Sequence, residues 1–358
     1  MSRRTGLLGL GAALVAAGAG TAIGLAAERW TIRRTTAGEV DPGVGTLVGD
    51  VRPVVADDGT RLHVEVDESD GDSPFTVVFS HGYCLSRLSW HFQRLALRGR
   101  YRMVFWDQRG HGLSDAGPAG SCTVDQCGHD LRAVLDAVVP NGPVVLVGHS
   151  MGGMTIMALA VEHADLVRER VAGVALVSTS AGGLADVHWG LRGQLGAVAH
   201  KIVPAAVAGL ARVPKLVDRS RRLGSDLQQV VVQRYSFASP VPESVVRFTA
   251  EMIASTPIDV VAEYLPTFDL HDKHDALAAL DGIETLVVSG ADDLLTPPEH
   301  SEEIVRRLPG AEQVVVPDAG HLVMLEHPDV VTAAIEGLLQ RVERVLGPGK
   351  RSRRKRTA

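Results

Sequence analysis

The apolar run Val144-Val145-Leu146-Val147 ends in Gly148-His149-Ser150-Met151-Gly152 and is followed by a helix-like run from Met154 to His163. That order is strand, sharp turn, helix, and it ties the chain to a layered α/β architecture in which a turn lifts one side chain above the sheet. A serine at such a turn sits in a strained backbone position with its hydroxyl exposed, and flanking glycines remove the side chains that would collide there. A glycine-rich turn that merely carries a serine has the same five letters. The predicted flanks separate the two readings, because the mechanism needs a strand before the serine and a helix after it.

The rest of the chain is consistent with that architecture. Two strands, Arg52 to Ala56 and Leu62 to Val66, meet through Asp58-Gly59, a hairpin signal. Val77-Val78-Phe79 then runs into His81-Gly82-Tyr83 and a helix near Trp90 to Arg98. Met103 to Trp106 runs into Asp107-Gln108-Arg109-Gly110-His111-Gly112-Leu113-Ser114 and a helix from Val124 to Val138, and Val171 to Val177 adds a further buried strand. Short apolar strands alternating with helices indicate a mainly parallel sheet covered on both faces. From Ala181 to about Leu270 the alternation stops, and helical stretches are broken by Pro204, Pro214, Pro240, Pro242, Pro257 and Pro266, so residues 181–270 read as an inserted helical cap. The alternation resumes with Thr285 to Val288, a helix near Glu299 to Arg307, a strand Gln313 to Val316 and a final helix Asp329 to Leu346. The core is therefore expected over residues 50–180 and 271–346.

The two ends differ from this body. Gly6 to Ala27 carries no charge over 22 positions after Arg3-Arg4, which at helical rise is about 33 Å and enough to cross a hydrocarbon core. Residues 1–34 are read as a hydrophobic membrane anchor or, alternatively, a cleaved export signal, and 35–49 as a linker. Arg3 and Arg4 on one side are matched by Arg29, Arg33 and Arg34 on the other, so charge assigns no orientation. Residues 347–358 form a basic tail. Its six basic residues, taken from 36 in all, leave 30 Lys+Arg against 42 Asp+Glu in the body, so no nucleic-acid partner is expected. Three cysteines make no disulfide framework, and Cys127 falls inside a predicted helix, so a Cys122–Cys127 bridge is not expected.

A serine hydroxyl is a weak nucleophile until an imidazole takes its proton, and the imidazole works best when a carboxylate fixes its tautomer. On an open parallel sheet such groups gather in loops at the carboxyl ends of strands. After Ser150 those loops offer Asp292 and Asp293 in Gly290-Ala291-Asp292-Asp293-Leu294-Leu295-Thr296-Pro297, and His321 in Asp318-Ala319-Gly320-His321. The chain order Ser, Asp, His is the one expected for this architecture.

With these pieces in place the chain resembles the α/β-hydrolase fold superfamily over roughly residues 50 to 346, and more narrowly its serine esterases and monoacylglycerol-lipase-like members. The resemblance rests on His81-Gly82, Asp107-x-Arg109-Gly110-His111-Gly112-x-Ser114, the Gly-His-Ser-Met-Gly-Gly elbow, Gly290-x-x-Asp293-x-x-x-Pro297 and Gly320-His321. It implies a mostly parallel, eight-stranded-type sheet with helices on both faces. It implies that Ser150 is the nucleophile, Asp293 and not Asp292 the acid, and His321 the base, with the backbone N–H groups of Tyr83 and Met151 as oxyanion donors and no metal or organic cofactor. The implied activity is cleavage of a carboxyl ester, the partner being a small-molecule ester or lipid. Val198, Ile202, Val203, Val207, Leu210, Val230, Val231 and Val232 in the cap are expected to suit a hydrophobic acyl chain. Carbon–carbon bond hydrolysis, cofactor-free perhydrolysis and a non-catalytic binding role remain as alternatives on the same residues.

Other polar residues have simpler readings. Asp107, Arg109, His111 and Ser114 are expected to hold a structural turn, and His81 and His149 to fix turns. The cluster Asp269, His271, Asp272, His274 and Asp275 shows no closed metal-ligand spacing and reads as a solvated loop.

Overall fold

The computed structural model describes residues 43–187, 207–212 and 226–347. The expected anchor over 1–34, the basic tail beyond Gly347 and part of the expected cap therefore lie outside the described residues. Among the described residues no helix is long and apolar enough to cross a membrane.

In chain order the elements are β1 Asp50–Val51, β2 Val54–Val55, β3 Arg61–Leu62, β4 Val64–Asp67, β5 Thr76–Ser80, α1 His91–Leu97, β6 Arg102–Trp106, α2 Val124–Val138, β7 Val144–His149, α3 Met151–Glu162, α4 Ala164–Arg170 and β8 Val171–Val177. Then come α5 Asp226–Ser236, α6 Glu243–Ser255, α7 Ile258–Asp269, β9 Glu284–Gly290, α8 Pro298–Arg307, β10 Glu312–Val316, α9 Val323–Glu326 and α10 Pro328–Leu346. Eight strands form one sheet in the order β1-β4-β6-β5-β7-β8-β9-β10. From β6 to β10 neighbours are parallel, while β4 runs antiparallel to β6 and β1 antiparallel to β4.

The sheet is buried on both faces, as its continuous apolar strands require. Val77 and Phe79 of β5, Val145 and Val147 of β7 and Val288 of β9 pack with α10 through Ile335 and Leu338. Val78, Leu146, Val174 and Val287 point the other way, toward Leu131 of α2 and Leu159 of α3. The chain goes from β5 to β6 on one side and then crosses to β7 on the other. That reversal opens a crevice at the carboxyl ends of β5 and β7, where open α/β sheets bind ligands.

Two local expectations are refined. The stretch read as one strand from Leu62 to Val66 divides: β3 closes a small hairpin with β2, and β4 enters the main sheet. The described end of the expected linker lies against the body, with Gly45 N donating to His91 Nδ1 at 3.2 Å and Gly49 N to Glu65 Oε2 at 3.1 Å. The sequence also hid a buried ion network. Glu65 accepts from Arg87 Nε and Arg94 Nη1, each at 2.7 Å, and Arg94 Nη2 donates to Asp67 Oδ1 at 2.7 Å.

Between β8 and β9 the described residues add helices and no strand to the sheet. Pro242 and Pro257 stand at the N-caps of α6 and α7, whereas Pro266 is carried inside α7 and does not break it.

Candidate active site

The turn after β7 has the geometry its glycines permit. Ser150 adopts φ 51°, ψ −117°, outside the regions that non-glycine residues favour. A Cβ on Gly148 would come within 2.5 Å of the Gly152 carbonyl group, and one on Gly152 within 2.2 Å of Ser80 O, so strand, turn and helix close only without side chains there. Ser150 N donates to Val177 O at 2.9 Å and Thr179 Oγ1 donates to Ser150 O at 2.7 Å, which fixes the strained residue from β8.

Three loops bring the expected residues together. Ser150 Oγ lies 3.0 Å from His321 Nε2, and His321 Nδ1 lies 2.8 Å from Asp293 Oδ2. Asp293 is itself held: Oδ1 accepts from Leu295 N at 2.8 Å and Thr296 N at 2.9 Å, and Oδ2 accepts from Thr296 Oγ1 at 2.8 Å. Burial raises the Asp293 carboxyl, but the charge and hydrogen bond of His321 and the Thr296 donors outweigh it and hold the group below the usual carboxylate range. An acceptor-only carboxylate sets the proton on His321 Nδ1 and leaves Nε2 to accept from Ser150. Asp292, the neighbouring alternative, is exposed and its N–H donates to Ala319 O at 2.9 Å.

Met151 is the first residue of α3, where backbone N–H groups have no intrahelical acceptor, and Tyr83 follows Gly82 at the end of β5. A Cβ on Gly82 would meet His149 Nδ1 at 2.6 Å and Ser150 Cβ at 3.2 Å, so the two loops touch at the nucleophile. Tyr83 also reaches across to α7, its hydroxyl donating to Val261 O at 2.5 Å.

The remaining motif residues are tied into turns. Asp107 accepts from Arg87 N and Arg87 Nη1, each at 2.7 Å, and from Leu113 N at 3.0 Å. Arg109, fully buried, grips Asp130 through two bonds of 2.6 Å and reaches Asp58 at 2.8 Å. His81 donates from Nδ1 to Gly82 O at 2.7 Å and accepts Gln108 N at 2.9 Å. His149 donates from Nε2 to His321 O at 3.0 Å. Burial holds His81 neutral down to about 4, and His111 and His149 down to about 3. None of the three is placed as a base toward Ser150.

His271 donates to Ser180 O at 3.1 Å and His274 pairs with Asp272 at 2.7 Å. Among the described residues no three His, Cys, Asp or Glu side chains gather as metal ligands. Cys84, Cys122 and Cys127 are buried free thiols.

Ser150 and His321 open into a cavity of about 290 Å³ whose apolar wall includes Leu85, Met154, Leu184, Ile253, Leu265 and Phe268. Of the cap residues expected to form that wall, Val198, Ile202 and Val203 lie outside the described residues, and none of Val207, Leu210, Val230, Val231 and Val232 lines the cavity. Val232 instead packs into the core against the sheet, and Leu210 and Val231 are exposed. Apolar character is legible for the α5 valines, but the helix rotation that decides what each one faces is not.

A model of the family described as alpha/beta hydrolase fold matches residues 76–328. The chain belongs to the α/β-hydrolase fold family. An sn-1-specific diacylglycerol lipase of Mus musculus is 28% identical over 277 residues, spanning 75% of this chain and 83% of that one. Among solved structures, a thermophilic esterase from Thermogutta terrifontis aligns with a TM-score of 0.62 at 29% identity, covering 82% of this chain and 98% of its own. An enol-lactonase from Burkholderia xenovorans LB400 aligns with a TM-score of 0.65 at 26% identity, covering 81% and 100%. The fold of this α/β-hydrolase fold member is thus one on which several hydrolases are built.

Proposed function

We propose that this protein is a serine hydrolase that cleaves carboxyl esters with an apolar acyl group, through an acyl-enzyme on Ser150. The observation that carries the reading is the continuous relay Asp293–His321–Ser150, with links of 2.8 and 3.0 Å, ending in an apolar cavity. The identity of the relatives, a lipase, an esterase and an enol-lactonase, is in keeping with ester chemistry.

In this mechanism Ser150 Oγ bonds to the ester carbonyl carbon while His321 Nε2 takes its proton, and the carbonyl π electrons move onto oxygen. Asp293 stabilises the imidazolium and keeps its ring oriented. Backbone N–H groups of Met151 and Tyr83 receive the oxyanion, a contribution whose loss typically costs about 100- to 1000-fold for one donor. His321 returns the proton to the leaving alcohol oxygen as the C–O bond breaks. Water then repeats the sequence on the acyl-enzyme and releases the acid.

In this reading the described part of the cap closes over the acyl group through α6 and α7, which supply Ile253, Leu265 and Phe268 to the wall. The cavity volume stands near the lower end of small-molecule sites, which run from about 300 to 1,000 Å³, so short to medium acyl chains fit best. The charge-free run from Gly6 to Ala27 has the length of an anchor or export signal and would bring the domain to a membrane.

The test is hydrolysis of a chain-length series of p-nitrophenyl esters by the full chain beside its Ser150→Ala variant. Turnover that depends on Ser150 and peaks at short to medium chains supports the reading. Turnover that persists in the variant places the nucleophile elsewhere, and absence of both turnover and fluorophosphonate labelling in the parent protein favours a non-catalytic binder.

A further inference from the structure

The backbone on one side of His321 is held by the last residue of α5, and on the other side by a carboxylate of α9. Leu322 N donates to Ser236 O at 2.9 Å, and Gly320 N donates to Glu326 Oε2 at 2.6 Å. The other oxygen of the same carboxylate, Glu326 Oε1, accepts from Ala238 N at 2.8 Å, from Ser239 Oγ at 2.7 Å and from Ser239 N. Glu326 lies on α9 and is buried, with four donors converging on its two oxygens. The contact is close: a Cβ on Gly320 would come within 2.9 Å of Ser236 O and 3.0 Å of Ala238 N. Ser236 itself lines the cavity beside Ser150 and His321.

A carboxylate accepts at both oxygens at once, and here that property joins two pieces of chain that are distant in sequence. One oxygen fixes the residue before His321. The other fixes the Ala238–Ser239 turn, and Ser236, two residues before that turn, fixes the residue after His321. The imidazole must also meet Ser150 at 3.0 Å and Asp293 at 2.8 Å, and a displacement of its backbone by a fraction of an ångström loosens both.

We propose that Glu326 is a positioning residue for His321, and that through it the 236–239 segment sets the alignment of the base; the proposal rests on the reading of His321 as that base. Glu326 touches no reacting atom. An amide in its place has one acceptor oxygen and one donor nitrogen, so it cannot satisfy N–H donors on both sides. A residue that only stabilised the fold would change the amount of folded protein without changing the rate per active site.

The experiment compares the full chain with Glu326→Gln, Glu326→Asp and Ser239→Ala. Active sites are titrated with a fluorophosphonate, and kcat and KM are measured for one p-nitrophenyl ester. Glu326→Gln is expected to lower kcat per titrated site by tenfold or more, with KM within about threefold and phosphonate labelling slowed in parallel. Ser239→Ala, which keeps the carboxylate and removes one side-chain donor, is expected to lower kcat two- to fivefold. Glu326→Asp, too short to span both sides, is expected to resemble the amide. Unchanged kcat per titrated site in Glu326→Gln overturns the proposal while leaving the serine mechanism standing. If Glu326→Gln does not fold, unchanged kcat in Ser239→Ala overturns it instead. A parent protein that neither turns over esters nor labels at Ser150 overturns both readings.

Discussion

Replacing Asp293 by asparagine changes one atom and should reverse the polarity of the relay. Leu295 N and Thr296 N both donate to Oδ1, at 2.8 and 2.9 Å, so the amide oxygen is compelled to occupy that position. The amide nitrogen then stands where Oδ2 was, 2.8 Å from His321 Nδ1. Facing a donor, Nδ1 must accept, and the ring proton moves to Nε2, which points at Ser150 Oγ 3.0 Å away. A serine facing an N–H has nowhere to send its proton. The same isosteric change in a serine–histidine–aspartate relay lowers kcat by about 10⁴-fold, which at about 1.36 kcal/mol per factor of ten is about 5.5 kcal/mol of barrier. The assay is kcat on p-nitrophenyl butyrate, with Tm measured alongside to show that the variant is folded, and with Asp292→Asn as the control expected to stay within about twofold. A folded Asp293→Asn protein that loses less than about tenfold would refute the tautomer argument, and a large loss in Asp292→Asn would move the acid to the neighbouring residue.

Three further outcomes follow from the geometry. Phe268→Ala should widen the cavity and raise the octanoate-to-butyrate rate ratio at least threefold, and an unchanged ratio would place the acyl group elsewhere. Asp130→Ala should destabilise the fold by about 3–5 kcal/mol in urea unfolding, because it leaves the buried Arg109 guanidinium without its two-pronged partner; a loss under about 1 kcal/mol would contradict this. Stability should also fall steeply with acidification. Burial lowers His81 to about 4, and His111 and His149 to about 3, so between the ordinary histidine value and those values the unfolded chain binds protons that the folded one does not. Each group then takes away about 1.4 kcal/mol per pH unit as pH falls below about 6.5, or on the order of 4 kcal/mol for the three between pH 6 and 5. Equal Tm values at pH 7 and pH 5 would show that these rings are accessible to protons in the folded state.

What could be read from the sequence was what short stretches of chain determine for themselves. The Gly148–Gly152 turn announces its own conformation, since only glycine fits within 2.5 Å of the facing backbone at Gly148, and the strands β5 to β8 announce themselves by continuous apolar runs. Ser150, Asp293 and His321 lie in the loops after β7, β9 and β10, so they fall at the carboxyl ends of a parallel sheet. Contacts between distant stretches were not legible in this way. Nothing local in the sequence says that the Glu326 carboxylate meets Gly320 on one side and Ser239 on the other. Nor does anything local say that Arg87 and Arg94 neutralise Glu65 and Asp67 inside the protein. Thr296 was nearer to legible, because a hydroxyl three residues after Asp293 is well placed to bond the same carboxylate. The valines of α5 were not legible for a different reason: their apolar character is plain, but facing direction depends on how α5 lies on the sheet, and Val232 turns toward the core.

In the proposed reaction the acyl group passes through Ser150. This is tested by mixing the full chain with a p-nitrophenyl ester in excess, quenching with acid within the first turnover and locating the acyl mass increment by peptide mass spectrometry. A burst of p-nitrophenol is expected, with the increment on the peptide that contains Ser150, both absent from Ser150→Ala. Ester turnover with no burst and no increment on that peptide, when deacylation has been slowed by cooling, would contradict an acyl-enzyme at this serine.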